Sequence, residues 1–299
     1  MLSSLRRALS TNAALLFVLT TIFWAGNMTV GRWIAGQVPP VTLAFLRWAG
    51  ATLLILPFAW RHLAQEWHAV RASWPVLLVL GVTGSGLFNT FQYAALVHTT
   101  ATSAGIIYAS GPIMIVLMSY LLNGERITGV QLAGIFVSLS GVLWVLTRGD
   151  PAALAGQGLN RGDLIMLAAV AIWAFYTAYL TRRPALHPMT FAAVTFAIAA
   201  LLNLPLAAAE LAGGAVLKLT PQTGLAILYV AVFPSVVAYL CYNRGVELIG
   251  PAKSGIYMNL VPLFAAVSAI VFLGERPGLY HLGGFALILA GVFLVTRKR

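Results

Sequence analysis

Gly124-Glu125-Arg126 recurs as Gly274-Glu275-Arg276, and the same shift of 150, from 124 to 274, carries Gly84 onto Pro234, Gly105 onto Gly255, Pro112 onto Pro262, Gly134 onto Gly284 and Gly141 onto Gly291. Each copy of the tripeptide follows the fourth of five apolar segments, so residues 1–149 and 150–299 read as two copies of one five-span unit that together make one transport domain. An odd number of spans per copy forces the second to cross the bilayer in the opposite sense. Inverted repeats that meet around a midplane cavity are a recurrent plan of secondary transporters. The repeat therefore points to transport before any single residue is weighed.

Composition places the chain in lipid. It is 60% hydrophobic and 8% charged, with a mean hydropathy of +0.90, whereas a soluble domain carries about 25% charged residues. A helical span needs about 20 apolar residues, and ten such stretches are predicted at 13–35, 41–59, 75–97, 101–122, 129–147, 162–181, 188–208, 222–245, 251–272 and 279–296. The fold class is thus all-α and integral to a membrane, with no room for a soluble domain. Arg6-Arg7 before an apolar run resembles a secretion signal, but the run reaches Trp24 without a small-residue cleavage site and reads as the first span.

The net charge of +11 is accounted for by orientation, because Lys and Arg gather in cytoplasmic loops. With the N-terminus inside, twelve basic residues (Arg6, Arg7, Arg61, Arg71, Arg126, Arg182, Arg183, Arg244, Lys253, Arg297, Lys298, Arg299) face the cytoplasm. Five (Arg32, Arg148, Arg161, Lys218, Arg276) face out. Both termini are predicted to be cytoplasmic, and no nucleic-acid partner is implied. The single cysteine, Cys241, excludes an intramolecular disulfide and a cysteine-rich metal site.

Five-helix repeats with a Pro in the fourth span, a Gly-Glu-Arg turn and a Gly-spaced fifth span resemble the EamA domain of the drug/metabolite transporter superfamily. The first copy runs from Thr102-Ser103-Ala104-Gly105-Ile106-Ile107-Tyr108 through Pro112 to Gly124-Glu125-Arg126, and the second from Lys253-Ser254-Gly255-Ile256-Tyr257 through Pro262 to Gly274-Glu275-Arg276. The resemblance covers nearly the whole chain. It implies ten helices, a central cavity lined by helices one to four and six to nine, peripheral helices five and ten, and export of small metabolites by alternating access. The YddG-type exporters of aromatic and other neutral amino acids are the branch it most resembles. A bacterial inner membrane, contact with membrane lipids, a small-molecule substrate, no cofactor and no obligatory protein partner are the matching expectations.

Candidate cavity residues follow from depth in the spans. Pro112 and Pro262 fall mid-helix, where proline removes a backbone hydrogen bond and kinks the helix, so they read as paired hinges, with Gly84 and Pro234 bending the third and eighth helices. Freed carbonyls at Tyr108 and Met258 would have to face protein or a wet cavity. Trp24 and Trp173 lie near the midplane although tryptophan favours the membrane interface, where Trp33, Trp60, Trp67 and Trp74 are placed. The central pair either lines a ring-walled cavity or packs helices together. Asn27 and Tyr176 follow one turn later on the same faces. Asn89, Thr90, Gln92, Tyr93, Tyr239, Tyr242 and Asn243 must face inward, as substrate contacts or as interhelical hydrogen bonds. Tyr108, Tyr257 and Asn259, on the central fourth and ninth helices, are the stronger substrate-binding candidates among the polar residues, beside Tyr93 and Tyr242.

Charge decides more. Glu66, Glu125, Asp150, Asp163, Glu210, Glu247 and Glu275 all fall in loops or near helix ends, and no His of the five (62, 68, 98, 187, 281) is central. A proton-carrying group at depth, the mark of ion coupling, is therefore missing, and a gradient-driven facilitator is predicted. Arg47 is the exception, about 9 Å of rise into helix two. It either meets an amino-acid carboxylate or shapes an outer vestibule, or it snorkels to headgroups or bonds helix-end carbonyls. The Gly-Glu-Arg glutamates are predicted to favour the N-terminal dipoles of helices five and ten, which they precede. The competing functions are a proton-coupled multidrug or metabolite exporter, a lipid flippase or pore, and a membrane-embedded enzyme. No GxSxG, HExxH or Asp-rich motif or deep acid pair supports catalysis, and no metal ligand set is evident.

Overall fold

The computed structural model describes residues 12–124, 128–150, 160–249, 257 and 260–296; Glu125, Arg126, Lys253 and Asn259 lie outside this set. Every regular element among the described residues is helical. We label them α1 (Ala13–Trp33), α2 (Pro40–Ala72), α3 (Trp74–His98), α4 (halves Ala101–Tyr108 and Gly111–Asn123), α5 (Gly129–Leu146), α6 (Arg161–Tyr179), α7 (Pro188–Ala212), α8 (Pro221–Ala231, Val232–Val237, Ala238–Ile249), α9 (Leu260–Leu273) and α10 (Leu279–Thr296). Six of these are long and apolar enough to cross a membrane, and α4 is a seventh if its halves, bent by 41°, count as one span; α5, α9 and α10 are shorter apolar helices.

Local chemistry sets the boundaries. Asn12 accepts from Leu15 N at the start of α1, Thr100 caps α4, Asn160 caps α6, and Thr128 with Gln131 forms a capping box at α5. Pro40, Pro188 and Pro221 open their helices, where a missing N–H costs nothing. Gly124, at φ 68°, closes α4 in the left-handed conformation that glycine tolerates. Helix α2 runs thirteen residues beyond the predicted end at 59. Charged Arg61, Glu66 and Arg71 end its apolar run, but together with Ala, Leu and Gln they are good helix formers.

The largest helix contacts keep their pattern when the two halves are exchanged. Helix α2 packs on α7 and α5 on α10; α3 on α6 is matched by α8 on α1, and α4 on α6 by α9 on α1. Helices α3 and α8 each carry a π segment at the same place in the repeat, Gly81–Leu87 and Val232–Val237, which contain Gly84 and Pro234. The expected bend at Pro112 falls two to three residues earlier, at 109–110, and Pro112 itself opens the second half-helix. Proline lacks the N–H that would continue the first half.

Carboxylates tie the halves together at the helix ends. Glu210 of α7 accepts from Val41 N (3.3 Å), Thr42 N (2.8 Å) and Thr42 Oγ1 (2.8 Å) at the start of α2. At the opposite end of the same pair, Glu66 of α2 accepts from His187 N (2.9 and 3.1 Å) just before α7. Glu275 accepts from Ala101 N (2.9 Å), Thr102 N (3.1 Å) and Thr102 Oγ1 (2.7 Å). Its carboxylate thus serves the start of α4 and not, as the sequence suggested, that of the helix it precedes. The reason is tertiary: α4 lies against α9 and brings a free helix N-terminus to the turn. Glu275→Ala leaves three donors without this acceptor, and is expected to cost about 1–3 kcal/mol, read as a lower melting temperature in detergent.

Candidate functional site

The central cavity lies where α1, α2, α3, α4, α6, α8 and α9 converge. It is a partly open cleft of about 320 Å³, with the space at its mouth included, lined by Trp24, Asn27, Met28, Arg47, Phe88, Asn89, Gln92, Tyr108, Trp173, Tyr239 and Val261. Among the described residues, none of α5 or α10 lines it. Five of the eleven lining side chains are rings. Trp24 meets Trp173 edge-on at 5.8 Å, Tyr239 at 6.0 Å and Tyr242 at 5.3 Å between centroids. Trp173 meets Phe88 at 5.0 Å and Tyr176 at 5.0 Å, and Phe88 meets Tyr108 at 6.2 Å.

Arg47 supplies the polar corner. It is 2% exposed, which removes snorkelling as its explanation. Its Nε donates to Ser235 Oγ (2.7 Å), its Nη1 to Asn89 Oδ1 (2.6 Å) and Tyr93 OH (3.1 Å), and its Nη2 to the Pro234 carbonyl (3.3 Å). Tyr93 passes a bond to Asn27 Oδ1 (2.5 Å), and Asn27 Nδ2 donates to Gln92 Oε1 (2.9 Å). One network therefore joins α1, α2, α3 and α8. The guanidinium also lies 4.6 Å over the Trp48 ring.

The π segments explain why so many polar side chains gather here. Widening the helix weakens the regular i to i−4 ladder, and side chains serve the carbonyls around it: Asn89 Nδ2 bonds Ser85 O, Thr90 Oγ1 bonds Gly86 O, and Ser235 Oγ bonds Val230 O. Trp24 Nε1 donates to Pro234 O at 3.1 Å, so the proline carbonyl serves both Trp24 and Arg47.

Of the residues singled out from sequence, Trp24, Asn27, Arg47, Tyr108 and Trp173 line the cavity. Tyr242 and Tyr176 stand behind its rings, and Tyr176 packs where a Cβ on Gly84 would fall. Tyr93 is spent on the Arg47–Asn27 network. Tyr257 stacks on Phe17 at 4.9 Å, away from the cavity wall. Asn259 lies outside the described residues, as do the neighbours of Pro262 that would show a bend. Gln92, Asn89 and Tyr239 carried a polarity signal but were not selected as site residues. Met28, Phe88 and Val261 carry none, because an apolar residue facing a cavity and one facing lipid look alike in a single sequence.

No Asp, Glu or His lines this cavity among the described residues. His281 sits at the bundle end, taking Gly278 N–H on Nδ1 (3.0 Å) with Nε2 3.0 Å from Ser103 Oγ. Asp163 there accepts from Thr99 Oγ1. No group of three or more His, Cys, Asp or Glu could hold a metal ion among the described residues.

The sequence model of the EamA-like transporter family matches twice, over residues 11–147 and 160–297. The chain belongs to the EamA-like transporter family. It is 30% identical over 296 residues to an uncharacterized transporter of Archaeoglobus fulgidus, covering 97% of this chain and 99% of that protein. It is 25% identical to the uncharacterized transporter YyaM of Bacillus subtilis, over 92% of this chain and 90% of that one. A probable terminal-alkyne amino-acid exporter of Streptantibioticus cattleyicolor is 28% identical, over 75% of this chain and 73% of the relative. A solved crystal structure, 21% identical, shares the fold with a TM-score of 0.65 over 95% of this chain and 96% of that one. This EamA-like transporter is an integral membrane protein, and its family implies a small-molecule substrate.

Proposed function

We propose that this EamA-like transporter exports small metabolites, aromatic and other neutral amino acids first among them, by alternating access through the central cavity. The observation that carries the reading is the ring-walled cavity with a single buried arginine. Aromatic faces offer an apolar or aromatic side chain offset and edge-on contacts, and Arg47 offers a carboxylate a planar fork. The amino-acid exporter among the relatives and the resemblance to YddG-type exporters support the same class. In this reading ten crossings form two inverted five-helix repeats, both termini are cytoplasmic, and the membrane is a bacterial inner membrane. The break before Pro112, Pro262 at the matching position of the second repeat, and the π segments at Gly84 and Pro234 are the points that bend between states. A cavity without a titratable carboxylate or imidazole supports transport that follows the substrate gradient.

The test is uptake of labelled phenylalanine, threonine and a neutral drug into liposomes holding the purified protein, with and without an imposed pH gradient. Saturable amino-acid uptake, unchanged by the gradient, is expected. Accumulation driven by the gradient would overturn the uncoupled reading, and drug uptake without amino-acid uptake would move the substrate to the multidrug class.

A further inference from the structure

Arg47 is a buried cation whose partners are all neutral: a serine hydroxyl, an asparagine oxygen, a tyrosine hydroxyl and a backbone carbonyl. A charge withdrawn from water is costly unless it is paired. The described carboxylates with printed bonds are committed elsewhere, Glu66, Glu210 and Glu275 to backbone N–H groups and Asp163 to Thr99. The cavity thus holds a positive charge that an anion entering from outside would neutralise. For an ammonium group it offers ring faces and neutral oxygens but, among the described residues, no carboxylate to balance the charge. The two side-chain amide oxygens best placed to accept from one, Asn27 Oδ1 and Gln92 Oε1, already accept from Tyr93 and Asn27.

We infer that the cavity selects a carboxylate on a small aromatic or apolar body, read by Arg47, and that an amino group on the substrate is not required for recognition. The inference rests on the central cavity being the transport site and narrows the substrate class proposed for it. The incoming carboxylate draws Nη2 from Pro234 O, whose bond is the longest of the four at 3.3 Å, into a single charge-assisted bond, while Nε and Nη1 keep their present partners. Pro234 keeps its bond from Trp24. Occupancy therefore loosens the tie between α2 and the π segment of α8 without stripping that carbonyl, which gives the substrate a physical hold on the segment proposed to bend.

Binding of four ligands to the purified full chain, followed by tryptophan fluorescence at pH 7, tests this: 3-phenylpropanoate, phenylalanine, and the amide of each. The two carboxylates are expected to bind within about threefold of one another, and each amide about tenfold or more weakly than its acid, as befits loss of a charge-assisted bond. Arg47→Lys, which keeps the charge and loses the fork, is expected to weaken both acids about tenfold and neither amide. If that variant does not fold, the four-ligand series on the wild-type protein decides alone. Phenylalanine and its amide binding alike, with 3-phenylpropanoate weaker, overturns the inference and leaves the amino-acid reading standing. 3-Phenylpropanoate binding without phenylalanine supports the inference and overturns the amino-acid reading. Absence of binding by all four overturns both.

Discussion

Valine at position 291 is expected to leave little folded, monodisperse protein. Gly291 of α10 faces α5 so closely that a Cβ there would lie 2.5 Å from Gly134 O and 2.6 Å from both Ser138 Cβ and Ser138 N. The reciprocal contact, Gly141 against Gly284 O (2.7 Å) and Ile288 N (2.9 Å), means that both ends of the interface rest on backbone touching backbone. Overpacking in a core costs about 1–3 kcal/mol when side chains can shift. Here the atoms in the way belong to main chain, so the helices must separate, and the loss is expected at the top of that range or beyond. Membrane helices depend on such close approach because lipid supplies no hydrophobic drive between them. Gly224→Val is the control, since nothing lies within 4 Å of a Cβ there. Size-exclusion profiles and thermal unfolding in detergent read both; equal stability of the two variants would mean that α5 and α10 do not approach as described.

Removing either central tryptophan is expected to lower amino-acid uptake about tenfold, equivalent to about 1.4 kcal/mol, while folded protein falls much less. A large ring deleted from a closed core costs about 3–5 kcal/mol, largely through the cavity it leaves. Trp173 borders space that is already open, so the void left by Trp173→Ala enlarges an existing cavity and the stability penalty is correspondingly smaller. Trp24→Ala also removes the Nε1 bond to Pro234 O. Trp24→Phe keeps a smaller ring and loses that bond, so comparing the two shows how much of the effect a ring at this position retains without the hold on α8. Parallel losses of uptake and of folded protein in the alanine variants would mean that the rings serve packing alone.

Most of the helical layout was legible because the forces that set it are local or periodic. Long apolar runs, capping residues and opening prolines fall where the helices begin, and Gly124 ends α4 as a helix-closing glycine should. The exceptions have two causes. Helix α2 outlasts its apolar stretch because hydropathy reports what lipid accepts and helix propensity reports what the backbone accepts. Glu275 serves α4 and not α10 because its partner is 174 residues away in sequence. Candidate site residues were half visible: depth and polarity single out Trp24, Asn27, Arg47, Tyr108 and Trp173, but the same signal includes Tyr93, whose hydroxyl is consumed in holding Arg47 and Asn27.

By itself the sequence determined the membrane environment, the doubled plan of the chain and the absence of any acid from the middles of the apolar runs. These depend on composition and on spacing along one chain. Only the tertiary structure decided that Arg47 turns inward to neutral partners, that the π segments draw the polar residues of α3 and α8 around it, and that α5 and α10 meet backbone to backbone. Which face of a helix is buried, and what a long side chain reaches, depends on neighbours brought together from both halves. A one-dimensional pattern does not encode those distances.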